Sequence, residues 1–351
     1  MIQYLLRSGP AALLVLIASA AITAYSQSDS NLERFFKDNI GLSQAQIDSI
    51  RGGNAFAKAL PSRTPSEILL FGAVYIEAVP EKYVQFAGDF ERRRKLSGYL
   101  GLGQLGNPPR LEEFDGFSFD REDIQALKNC KPADCLIQMP ASAIQEIQRS
   151  VDWSATDATE KLNRFLRGTA LQRIVAYQRE GNSALGIYND KSDPVEVSRK
   201  LEYLLSYHKV LPVYLPEFYG YLLTYPHGKP ANVEDAFYWE RVKFGLKPTL
   251  RVVQRSTMRG TASEPIAFAV AEKQLYASHY FETALDLAFC VRPQSAKDSG
   301  FFLITLVGSE QAGLTGVKGS VVRKVAVGRS ISNLQDALST IKTALDPNRQ
   351  H

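Results

Sequence analysis

The sequence predicts an α+β fold: a curved antiparallel sheet with a long C-terminal helix, and a helical insertion or subdomain set into it. Three observations carry that prediction. β-rich runs follow one another between residues 235 and 309, an apolar stripe at helical spacing closes the chain, and residues 141–225 form long amphipathic segments.

The opening residues "MIQYLLR" end in Arg7 and precede an apolar run, residues 10–25, that closes on small side chains. This is the pattern of an export signal, and the run is shorter than the ~20 residues a spanning helix needs. Residues 1–26 are therefore expected to be removed, leaving a secreted or periplasmic protein, with an uncleaved N-terminal anchor as the alternative. Loss of Arg7 takes Lys plus Arg from 41 to 40 against 37 acidic residues, a net charge of +3. So balanced a charge argues against nucleic acid as a partner. The basic run Arg92, Arg93, Arg94 and Lys95, offset by Asp89 and Glu91, reads as a solvated helix face or as a contact for anionic lipid headgroups.

Within residues 27–64, Leu32, Phe35, Phe36 and Ile40, then Ile47, Ile50 and Phe56, fit two short helices. Residues 65–140 form the first part of the sheet domain: a strand over residues 68–76, a helix that Pro80 helps to start, and a short strand in "CLIQMP". In "GYLGLGQLG", Gly101, Gly103 and Gly106 have the spacing of a dinucleotide-binding turn. That turn needs a strand before it and a helix after it. Here a charged helical pattern enters and "NPPRLEEF" leaves, so a Gly/Pro loop is expected and no cofactor, with loop and short strand over residues 98–120.

Residues 141–234 form the helical block. Its cluster Tyr203, Tyr207, Tyr214, Phe218, Tyr219, Tyr221 and Tyr225 reads first as packing against the sheet, and second as a carbohydrate or lipid contact. Residues 235–346 hold the remaining strands and the closing helix, and residues 347–351 are a tail. In "HYFETALDLAFCV", alternation puts Phe281, Thr283, Leu285, Leu287, Phe289 and Val291 on one face, with Glu282, Ala284, Asp286 and Ala288 on the other. The closing helix carries Ile331, Leu334, Leu338, Ile341 and Leu345 on one stripe and starts near Gly316 or near Ser330, where Ser332 and Gln335 suit a capping box. In an oxidising compartment Cys130 and Cys135 are expected to pair across a turn, with Cys290 a buried free thiol.

Strand, proline-started helix, antiparallel meander and closing helix together resemble the helix-grip fold of the START-like superfamily, which includes lipid-transfer and polyketide-cyclase-like proteins. "AVYIEAVPEKYVQF" resembles its first strand and helix, and "YFETALDLAFCV", "GFFLITLVG" and the final helix resemble its end. The resemblance covers residues 65–140 and 235–346, and the helical block departs from it. It implies an apolar ligand held between sheet and helix, by Phe281, Leu285, Leu287 and Phe289 below and Leu334, Leu338 and Ile341 above.

Specific catalytic signatures are lacking: there is no G-x-S-x-G elbow, H-E-x-x-H helix or phosphate loop. His208, His227, His279 and His351 are not spaced as metal ligands. The candidates for acid/base chemistry are His279, Glu282 and Asp286, if a turn or bulge lets them meet. The expected function is thus an exported protein that binds a lipid or other hydrophobic small molecule without covalent chemistry. The alternatives are an envelope enzyme acting on such a molecule and an assembly protein that binds a protein partner.

Overall fold

The computed structural model describes residues 31–207, 210–244, 247–293 and 299–346. The proposed signal, His208 and His351 lie outside them. A π-helical turn Phe35–Asn39 and helix α1 (Gln44–Arg51) lead into strands β1 (Phe56–Ala59) and β2 (Glu67–Ile76). Phe56 therefore belongs to a strand rather than to a second short helix. Helices α2 (Pro80–Gly88) and α3 (Phe90–Arg94) and strand β3 (Tyr99–Leu105) follow. Pro80 sits in the first turn of α2, where its missing N–H costs nothing.

Helices α4 (Arg121–Lys128), α5 (Ala141–Ser150), α6 (Ala158–Glu180), α7 (Val197–Tyr207), α8 (Val210–Tyr214) and α9 (Pro216–Thr224) make the helical block, together with the small hairpin β4 (Ile187–Tyr188) and β5 (Val195–Glu196). A meander completes the sheet: β6 (Val233–Phe244), β7 (Lys247–Arg259), β8 (Ile266–Ala277), β9 (Phe281–Val291) and β10 (Phe301–Gln311). Helix α10 (Gly316–Leu345) ends the described chain. The eight-stranded sheet runs β1-β2-β10-β9-β8-β7-β6-β3, antiparallel throughout. Because β3 pairs with β6, the chain leaves the sheet after Leu105, builds the helical block and returns to the same edge.

Both sheet faces are covered, by different partners. Leu69 and Phe71 of β2, Val252 of β7, and Leu285, Leu287 and Phe289 of β9 pack against Leu162, Ile174, Leu201 and Phe218 of the helical block. On the opposite face, Val74, Ile76, Phe268, Cys290 and Leu303 meet Tyr83 of α2 and Leu338 and Leu345 of α10. Phe218, Tyr221 and Tyr225 are buried in the first core, as packing requires, whereas Tyr214 is exposed.

Two local readings change and a third is decided. Gly101 and Gly103 of "GYLGLGQLG" lie in the edge strand β3, not in a loop, because they make room for Trp239 on β6: a Cβ on Gly103 would lie 2.2 Å from the indole Nε1. That nitrogen donates to the Glu113 carbonyl at 2.8 Å. "CLIQMP" is extended but joins no strand ladder; Gln138 N–H donates to Ser278 and Asn189 N–H to Met139. Helix α10 begins at Gly316, the earlier of the two expected starts, so Ser332 is interior and forms no cap. Cys130 and Cys135 are disulfide-bonded and Cys290 is a buried free thiol.

The helical block is pinned to the sheet by the buried amine of Lys273. Lys273 of β8 donates to Tyr177 Oη at 2.9 Å and to Asn182 Oδ1 and the Leu222 carbonyl, each at 3.1 Å. Tyr177 in turn donates to Gln254, which donates to Asp235. Burial drives the Lys273 pKa down to about 7, with Asp235 opposing. Lys273→Ala strips a donor from two buried acceptors and one half-buried one. We expect it to lower urea-measured stability by about 3 kcal/mol; a loss below about 1 kcal/mol would show that the network does not hold the block.

Candidate functional site

Between the sheet and α10 lies a cavity of about 280 Å³. Its walls are Ile68 and Leu70 of β2, Phe244 of β6, Phe281 of β9, Val307 of β10 and Leu334 of α10. Arg251 and Asp286 face it from the sheet, Ser309 and Gln311 from β10, and Ser330 and Asn333 from α10. Packing leaves this space open. Gly72 lets α10 press onto β2, where a Cβ would lie 2.8 Å from Leu338 and 3.1 Å from Leu334. The helix is thereby seated on β1 and β2. Over β9 the small Ala284 and the short Asp286 do not fill the gap.

The polar floor continues as a row of charges across the sheet. Register places Glu240 opposite Arg251, Arg255 opposite Glu272, and Glu272 opposite Asp286. Arg251 Nη1 donates to Glu240 at 3.0 Å, and the guanidinium carbon Cζ lies 5.6 Å from the centre of the Phe281 ring. Its Nε is buried with no hydrogen-bond partner among the described residues. Arg255 Nε and Arg93 Nη2 of α3 both donate to Glu272 at 2.9 Å. Burial opposes charge on Glu272, yet these two guanidiniums outweigh it and hold the carboxyl well below its usual range. Glu240 is raised, chiefly by burial, with Arg251 opposing. Arg93 is thus not part of a solvated face: its side chain is 13% exposed and ion-paired.

Asp286 is the outlier. Its carboxyl takes no side-chain hydrogen bond among the described residues, and enclosure by the sheet pushes its pKa up to about 7, against the pull of Arg251. With Asp286 neutral, Arg93, Arg251 and Arg255 face two carboxylates, Glu240 and Glu272, a net charge of +1 on the row. The cavity then offers donors: an acid O–H and a guanidinium N–H.

The sheet residues expected to face α10 divide between the two faces. Leu285, Leu287 and Phe289 point into the helical-block core, while Leu334, Leu338 and Ile341 pack on the other side. Phe281 alone of the four reaches the α10 side. The cause is local: Tyr280 takes the left-handed conformation, φ +64, and β9 bulges at Glu282, which the β10 register skips. The bulge also separates Glu282 from Asp286.

Glu282 pairs with Lys200 of α7 at 3.0 Å, and Asp286 faces the α10 cavity. His279 is buried with Nε2 2.9 Å from Asp123 and Nδ1 3.2 Å from the Leu136 carbonyl, tying α4 and the disulfide loop to the β8–β9 turn. These three residues do not converge, and the arrangement of His279 is that of a clamp. Phe289 does line a second cavity of about 170 Å³, with Phe35, Val210 and Ile304. Among the described residues that line it the charged side chain is Arg292, which is engaged by the carbonyls of Thr261 and Glu264.

Sequence reasoning missed Arg251, Glu240, Arg255 and Glu272, and read Arg93 only as part of a basic helix face. The available signal was parity: Arg251 and Arg255 alternate with Leu250, Val252 and Gln254 along β7. Among the described residues no group of three or more His, Cys, Asp or Glu is placed to hold a metal ion. No protein-family model matches the chain, and no curated protein is significantly similar to it.

Ionising Asp286 costs the folded state, because its pKa is raised from 3.8 to about 7. Stability on this account falls as pH rises through that window and is constant above it. Asp286→Asn removes the cost. Thermal unfolding should show the variant stabilised relative to the parent at pH 8 and not at pH 4; an equal effect at both would assign the gain to packing.

Proposed function

We propose that this protein is an exported helix-grip module of the START-like kind that holds a small amphipathic molecule between its sheet and α10, without covalent chemistry. The strand order supports the fold reading: β2 lies beside the last strand, β10, the meander runs back to β6, and β3 takes the far edge. The helical block is then an insertion between two paired strands. The N-terminal apolar run and the Cys130–Cys135 bond support export.

The observation that carries the binding reading is the cavity, with an apolar wall on one side and Arg251 and Asp286 on the other. Its volume lies near the small end of the roughly 300–1,000 Å³ of typical ligand sites. An apolar body would occupy the wall of Leu70, Phe281, Val307 and Leu334. A carboxylate or carbonyl head would accept from Arg251 and from the protonated Asp286. Ionising Asp286 replaces a donor with a like charge, so affinity for a carboxylate falls as pH rises through about 7.

Native mass spectrometry on protein purified without detergent tests this, with dodecanoic acid and its methyl ester as probes. A single stoichiometric adduct is expected, tighter for the acid at pH 6 than at pH 8. Ala284→Trp, which fills the cavity, should abolish uptake while leaving the near-ultraviolet circular dichroism folded. Arg251→Gln should weaken the acid on the order of tenfold or more, the worth of a charged hydrogen bond. A clean apo mass with no uptake of either probe would sink the reading.

A further inference from the structure

The first half of α10 carries a surface that the cavity does not use. Val317, Val321, Val322 and Val325 are exposed there, from 88% for Val317 to 49% for Val325. At helical spacing Val317, Val321 and Val325 stand on one line, with Val322 beside them. Lys318 and Arg329 share that sector and Lys324 borders it, all three exposed. The opposite side of the helix is committed to the fold: Ala326, Val327, Ile331 and Leu334 pack toward Ile68 and Leu70, and Arg323 donates to Ser62 and to the carbonyls of Pro65 and Glu67. Between Glu310 and Asp336 the chain contains Lys318, Arg323, Lys324 and Arg329 and no carboxylate.

We propose that this ridge docks on the surface of an anionic lipid bilayer, with the valines in the headgroup layer and Lys318, Lys324 and Arg329 on lipid phosphates. An apolar helix face flanked by cations is the form that lies in a membrane interface. Charge decides against the nearest alternative, a second copy of this chain. Two such ridges placed face to face would oppose cation to cation with no carboxylate from either helix segment. A protein partner is disfavoured because the ridge offers only valines, without the aromatic anchors that dominate protein interfaces. The inference does not depend on the cavity's being filled; Ser330, Asn333 and Leu334, one turn further along, line that cavity and would be brought close to the lipid.

Vesicle co-sedimentation tests it, comparing phosphatidylcholine alone with phosphatidylcholine containing phosphatidylglycerol. The readout is the increase in binding caused by the anionic lipid, so any N-terminal contribution to both vesicles cancels. That increase should fall with added salt. Each cation near such a surface is worth about fivefold, so the variant Lys318→Gln, Lys324→Gln and Arg329→Gln should lose on the order of 100-fold. Val321→Asn with Val325→Asn should weaken binding with the cations intact, and unchanged melting would show that both variants fold. An absent increase, or one that survives both sets of substitutions, overturns the proposal. So does a dimer in solution that the asparagine pair dissociates, which would assign the ridge to a second copy.

Discussion

The ladder between Glu67–Ile76 and Phe301–Gln311 is the interaction on which the rest of the structure depends. It joins the second strand to the last and fixes the order of every strand between. Closing so long a loop costs entropy before any contact is gained, so the pairing stands only because both faces of the joined strands are buried. Phe71 and Ile304 face the helical block, and Val74 and Leu303 face α10. The same ladder delivers α10 to β2, where Gly72 admits Leu334 and Leu338 against the backbone.

The two faces solve the burial problem differently. Toward the helical block the core is mostly apolar, and the buried Lys273 amine is surrounded by three acceptors. Toward α10 the middle of the sheet carries a row of charges that α3 and α10 cover only partly. Buried ion pairs add little net stability against apolar packing of equal volume. What the row does provide is a fixed field at one end of the cavity. Arg93 and Arg255 neutralise Glu272, Glu240 engages one arm of Arg251, and Asp286 is left at the cavity wall without a hydrogen-bond partner among the described residues.

What the sequence determined by itself was local. Alternation marked the meander strands, the stripe Ile331, Leu334, Leu338, Ile341 and Leu345 marked the closing helix, Pro80 marked the start of α2, and the spacing of Cys130 and Cys135 marked their bond. Each is a pattern within a few turns or residues, where geometry follows from period alone. Tertiary structure decided which side each pattern faces. A single bulge at Glu282 and a left-handed Tyr280 moved Phe281 to the face opposite Leu285, Leu287 and Phe289, because one extra residue reverses parity in a strand. Gly101 and Gly103 became a strand only because Trp239, far along the chain, needed their missing side chains. The candidate site has the same origin: Arg251, Asp286 and Leu334 come from three distant elements, and no local pattern records that register and the seat of α10 on Gly72 bring them to one cavity.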